Sequence, residues 1–124
     1  MARLISIGLA GMAGTLLRYW LSGWIARRFG ETFPTGTLMV NVAGCFAAGF
    51  ISYLLFERFL ISETTRTVLL IGLLGGFTTF SSFGLQTFNL LRDGEVGWAV
   101  LNIAVSNLAG LTMVWLGFTI ARIF

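Results

Sequence analysis

The chain has 124 residues, 56% of them hydrophobic and only 10% charged, with five carboxylates, no histidine and a formal net charge of +3. A soluble domain of this size needs far more polar surface to cover its core, and the mean hydropathy of +0.89 points to the bilayer instead. Without histidine there is no Ser-His-Asp or Cys-His arrangement and no imidazole-based metal centre, so enzymatic activity is not expected.

The charged residues fall in clusters: Arg27, Arg28 and Glu31; Glu57, Arg58, Glu63 and Arg66; Arg92, Asp93 and Glu95; and Arg122. Between them lie apolar runs of about 20 residues, the length that crosses ~30 Å of hydrocarbon as a helix. The pattern predicts an all-α integral membrane protein, one four-helix transmembrane domain over residues 1–124. Its spans are expected at about Leu4–Ile25, Thr37–Phe56, Thr67–Leu91 and Val96–Ile120.

The first span is too long for a signal h-region, contains Arg18, and lacks a small-residue cleavage site, so it reads as a helix of the mature protein. Gly8, Gly11 and Gly14 recur along it, a spacing that lets membrane helices approach closely. Arg18, beside Tyr19 and Trp20, has two readings: a side chain that snorkels to the interface, or the electropositive lining of an anion vestibule.

Pro34 stands just before the second span, where its missing N–H does no harm. Within that span, Asn41 carries an amide that costs several kcal/mol if left unpaired in hydrocarbon, in round order of magnitude. It must therefore bond another helix or a transported species. Cys45, the sole cysteine, excludes an intrachain disulfide and reads as a packing residue.

The third span holds the most informative segment, Gly75-Gly76-Phe77-Thr78-Thr79-Phe80-Ser81-Ser82-Phe83-Gly84-Leu85. Paired glycines weaken a helix, and backbone groups freed inside a bilayer must find partners. A break here is expected to face protein, water or an ion, and the segment reads as the lining of a pathway. Phe80 and Phe83, three apart, face the same way; their positive ring edges suit a small anion.

Arg92-Asp93-Gly94-Glu95 reads as a tight turn into the fourth span. There Asn102 and Ser106 share one face and supply half of a polar track, with Asn107 close by. No carboxylate lies within any span, which argues against proton coupling.

The arginines flank apolar spans, where headgroup anchoring explains them better than nucleic acid does. Arg3, Arg58, Arg66 and Arg122 lie on one side of a four-span topology, and Arg27, Arg28 and Arg92 on the other. Four against three gives almost no orientation bias, which points to a dual-topology, antiparallel dimer.

In chain order, Gly11-x-x-Gly14-x-x-x-Arg18-Tyr19, Gly36-Thr37-Leu38-x-Val40-Asn41-x-x-Gly44 and Gly75-Gly76-Phe77-Thr78-Thr79-Phe80-Ser81-Ser82-Phe83 resemble the Fluc (CrcB) fluoride channels across essentially the whole chain. The resemblance implies a passive, fluoride-selective channel of the bacterial inner membrane: an antiparallel homodimer with two pores, exporting cytoplasmic fluoride and conferring fluoride resistance. It implies that Phe80 and Phe83 meet fluoride through their ring edges and that Asn41 donates a hydrogen bond to it. It also places Thr37 and Ser106 along the pathway and Arg18 at its vestibule. A structural sodium ion is implied at the dimer axis, held by the backbone carbonyls of Gly75 and Thr78 in a broken third helix. Two positions depart from the family pattern: Gln86 stands where a glutamate is common, and Asn102 and Gly110 stand where hydroxyls are expected. The main rival, a small multidrug-resistance exporter, needs an acidic residue in the first span, which here offers Arg18. A third class is a membrane scaffold whose polar residues only join helices.

Overall fold

The computed structural model describes residues 1–59 and 61–124, and the described residues are helical with no strand. The helices are α1 (Ala2–Phe29), α2 (Thr35–Tyr53), α3 (Glu63–Thr67), α4 (Gly75–Phe77), α5 (Phe80–Arg92) and α6 (Val96–Ala121). A π-helical turn, Leu54–Arg58, prolongs α2, and another, Val68–Leu74, joins α3 to α4. By length and composition, four stretches can cross a membrane: Ala2–Phe29, Thr35–Arg58, Glu63–Arg92 and Val96–Ala121. The protein is a multi-pass membrane protein, and the first three stretches extend past their apolar runs into residues that include Arg3, Arg27, Arg28, Arg58, Arg66 and Arg92.

Glycine sets how the helices meet. A Cβ on Gly49 would overlap the Val114 carbonyl, and one on Gly117 would overlap that of Phe46, so α2 and α6 cross backbone to backbone. This is the most extensive helix pair in the protein. Gly14 of α1 lies against the Leu73 carbonyl in the same manner, and Gly76 against Gly11. Without a hydrophobic drive between helices in lipid, such close contact supplies the dispersion energy of association.

Connections are short. Gly30 ends α1 at φ 84°, and its N–H donates to the Ala26 carbonyl at 2.9 Å. Gly94 holds φ 80° in the turn between α5 and α6, a left-handed conformation open to glycine without strain.

Helical structure in the third span is interrupted at two residues. Thr78 (φ −86°, ψ 158°) and Thr79 (φ −150°, ψ 113°) are extended between α4 and α5. The two threonines finish both ends. Thr78 donates its N–H and its hydroxyl to the Leu74 carbonyl, each at 2.9 Å, closing the first arm. Thr79 is the N-cap of α5, its hydroxyl oxygen accepting from the Ser82 N–H at 3.2 Å, the role for which threonine is favoured at a helix start.

Candidate functional site

The extended pair at Thr78 and Thr79 redirects specific backbone groups. In an unbroken helix the Thr79 N–H would donate to the Gly75 carbonyl; it donates instead to Asn41 Oδ1 at 2.7 Å. The Ser82 N–H would donate to the Thr78 carbonyl; it donates to the Thr79 hydroxyl. The carbonyls of Gly75 and Thr78 thereby lose their helical partners. That of Gly76 accepts from Arg18 Nε at 3.1 Å.

Asn41 serves this segment from α2. Its Nδ2 donates to the Thr79 carbonyl at 2.9 Å while its Oδ1 accepts from the Thr79 N–H, a two-point clasp on both backbone polar groups of one residue. An amide carries two N–H donors, so one Nδ2–H remains beyond the clasp. α2 can come this close because of Gly44, where a Cβ would overlap the Thr78 methyl.

A groove of about 440 Å³ opens beside this junction. Asn41, Gly75, Thr78, Phe80, Phe83 and Ser106 all line it. Thr79, Cys45 and Asn107 line it too, and no lining side chain is charged. The Phe80 and Phe83 rings stand 5.5 Å apart at 46°, and Phe80 is 82% exposed, forming an open lip. Cys45 packs its sulfur 3.4 Å from where a Cβ of Gly110 would sit, so the glycine makes room for it.

Two of the expected pathway residues lie elsewhere. Arg18 is half-buried on the α1 side of the third span, engaged with the Gly76 carbonyl. Thr37 is buried and lines a second cavity of about 580 Å³, together with Gln86, Asn89 and the carboxylates of Glu31, Asp93 and Glu95. The two cavities are neighbours along the same helices: Thr37 is one turn before Asn41 on α2, and Gln86 one turn after Phe83 on α5. Gln86 Oε1 is buried there without a hydrogen-bond partner.

Ser106 is tied to Asn102, its hydroxyl donating to Oδ1 at 3.3 Å, and Asn102 Nδ2 donates to Thr87 Oγ1 at 2.9 Å. Sequence reasoning missed Thr87 and the use of Thr79 as the target of Asn41. The first signal was present, since Thr87 sits four residues after Phe83 on the same helical face; the second depends on where α2 docks.

An uncharged groove lined by aromatic edges, an amide and a hydroxyl can stabilise a small ion only through dipoles, with modest energy per contact. Comparison with known proteins agrees with that chemistry. Residues 5–118 match the family model described as CrcB-like protein, Camphor Resistance (CrcB). The chain is 50% identical over 119 residues to a protein of Opitutus terrae named fluoride-specific ion channel FluC, covering 94% of this chain and 90% of that one. It is 45% identical over 122 residues to a protein of the same name from Citrifermentans bemidjiense, covering 98% of each. A further relative so named, from Methylocella silvestris, is 47% identical over 110 residues, covering 87% of this chain and 84% of its own length. With nearly its whole length matched, the chain belongs to the CrcB family.

Proposed function

We propose that this protein is a passive fluoride channel whose pathway runs through the groove beside Thr78 and Thr79. The observation that carries this reading is that one uncharged groove takes in Asn41, Phe80, Phe83 and Ser106 at membrane depth. Fluoride enters a cell as neutral HF, dissociates at cytoplasmic pH, and leaves as the anion down its electrochemical gradient. No carboxylate, histidine or basic side chain lines the groove, which suits a channel rather than a proton-coupled carrier. Phe80 and Phe83 offer ring edges to the ion, and the second Nδ2–H of Asn41 is the donor left for it. Thr37 and Arg18 belong to the approaches: Thr37 through the cavity next along α2, Arg18 through its positive charge near the entrance.

The working unit is an antiparallel homodimer with two such pathways. Gly75, Ser81 and Asn107 are exposed on a single protomer; beyond the bonds of Ser81 to Thr79 Oγ1 and of Asn107 to the Ile103 carbonyl, hydrocarbon gives their polar groups no further partners. A second copy covers them and closes the open side at Phe80. The third span acts as a broken helix whose released carbonyls at Gly75 and Thr78 fit a hard cation, since neutral carbonyl oxygens are the donors such ions take. Sodium at the dimer axis, when bound, supplies a fixed positive charge beside the two pathways. The residues themselves orient the groove: Asn41 clasps Thr79, and Thr79 caps α5, so the phenylalanine arm starts at a set place.

The test is fluoride efflux from liposomes holding the purified protein, with chloride as control and Phe80→Ile alongside. Rapid fluoride loss with little chloride loss, abolished by the substitution, is the expected result. A well-folded protein that releases neither ion would overturn the reading.

A further inference from the structure

Asn102 is 2% exposed, and its hydrogen bonds can have only one direction. Thr87 has one hydroxyl proton and donates it to the Phe83 carbonyl at 2.8 Å. Thr87 Oγ1 can then only accept, so the group facing it must be Asn102 Nδ2, at 2.9 Å. That turns Asn102 Oδ1 toward Ser106, whose hydroxyl donates to it at 3.3 Å. The result is a directed chain, Ser106 to Asn102 to Thr87 to the Phe83 backbone. It crosses from α6 to α5, and both of its ends are groove residues.

We propose that Asn102 and Thr87 are positioning residues of the ion pathway, holding the Ser106 wall in register with the Phe83 wall and setting which way the Ser106 proton points. This rests on the fluoride-pathway reading. With its proton given to Asn102, Ser106 shows lone pairs to the groove, and an arriving anion must draw the proton off Asn102. The bond it breaks is long against the ~2.8 Å usual between oxygens, so the hydroxyl exchanges partners at small cost. Thr87 and Asn102 never touch the ion. They act through Ser106 and Phe83.

The experiment measures fluoride efflux per folded channel in liposomes for Thr87→Val, Thr87→Ser, Asn102→Leu and the Thr87→Val/Asn102→Leu double variant, beside the wild type. Valine keeps the shape of threonine without its hydroxyl; serine keeps the hydroxyl. Thr87→Val and Asn102→Leu are each expected to slow efflux about tenfold, the rate equivalent of one lost hydrogen bond. The double variant is expected to be no slower than either single, because both break one chain. Thr87→Ser is expected to run near the wild-type rate. Wild-type efflux in all variants, or losses that multiply in the double, would overturn the proposal while leaving the channel reading intact. So would failure of both Thr87→Val and Asn102→Leu to fold while Thr87→Ser folds, since that marks a purely structural tie. A wild type that carries no fluoride would overturn the channel reading and this proposal with it.

Discussion

Where α2 crosses α6, Gly49 and Gly117 each bring backbone against backbone, and no side-chain hydrogen bond joins the two helices among the described residues. Where the third span meets α1 and α2, the glycine contacts recur at Gly14 and Gly76, but polar clasps are added: Arg18 on the Gly76 carbonyl and Asn41 on both polar groups of Thr79. The helices of the first seam are unbroken where they cross, so shape alone can hold them. The third span has given up helical bonds at Thr78 and Thr79, and each one surrendered in a bilayer must be made good by a neighbour. Close packing thus serves stability in both places, and only the second carries chemistry.

That contrast predicts a ranking of losses. Gly117→Leu should do the most damage, since its side chain meets the Phe46 backbone, which cannot swing aside; we expect a cost of about 3 kcal/mol or more and no monodisperse protein on size exclusion in detergent. Recovery of a stable Gly117→Leu protein would mean that the α2–α6 seam is not shape-limited. Asn41→Leu comes next. It orphans the Thr79 N–H and weakens the hold on its carbonyl, at about 1–3 kcal/mol for each group left unpaired, read as a lowered thermal midpoint together with lost fluoride efflux. Asn41→Asp, which keeps an acceptor for the N–H, should fall between Asn41→Leu and the wild type.

Arg18→Met removes a single charge-assisted bond to the Gly76 carbonyl, and about 2 kcal/mol is expected. If thermal unfolding shows Arg18→Met as costly as Asn41→Leu, the clasp at Thr79 is not the dominant support of the third span. Phe80→Ile should alter the stability of the protomer least, within about 0.5 kcal/mol, because the ring is 82% exposed and its aromatic partner is Phe83 alone among the described residues. Its effect on fluoride efflux should nonetheless be complete. That separation of stability from flux distinguishes a pathway side chain from a structural one.

Much of this site was legible in the sequence. The paired glycines and clustered hydroxyls of residues 75–82 marked the place where helical bonding stops, because glycine weakens a helix and threonine caps one. Asn41 was legible as an amide in need of a partner. Its partner was not, since the backbone of a residue 38 positions away can be found only by docking α2 against the third span. The same limit applies to Thr87, whose spacing from Phe83 was visible but whose link to Asn102 spans two helices.

Hydropathy and the placement of charge determined the four helices, because a backbone in hydrocarbon must bond to itself and has few other ways to do so. The residue types determined that any pathway here would be uncharged. Tertiary structure alone decided which of those residues share a groove: Ser106 from α6 joined Asn41, Phe80 and Phe83, while Thr37 went to the next cavity along α2 and Arg18 to the α1 side of the third span. Helical periodicity fixes which face of its own helix a side chain occupies. Which faces meet depends on where small residues let two backbones touch, and that is a property of the assembled bundle.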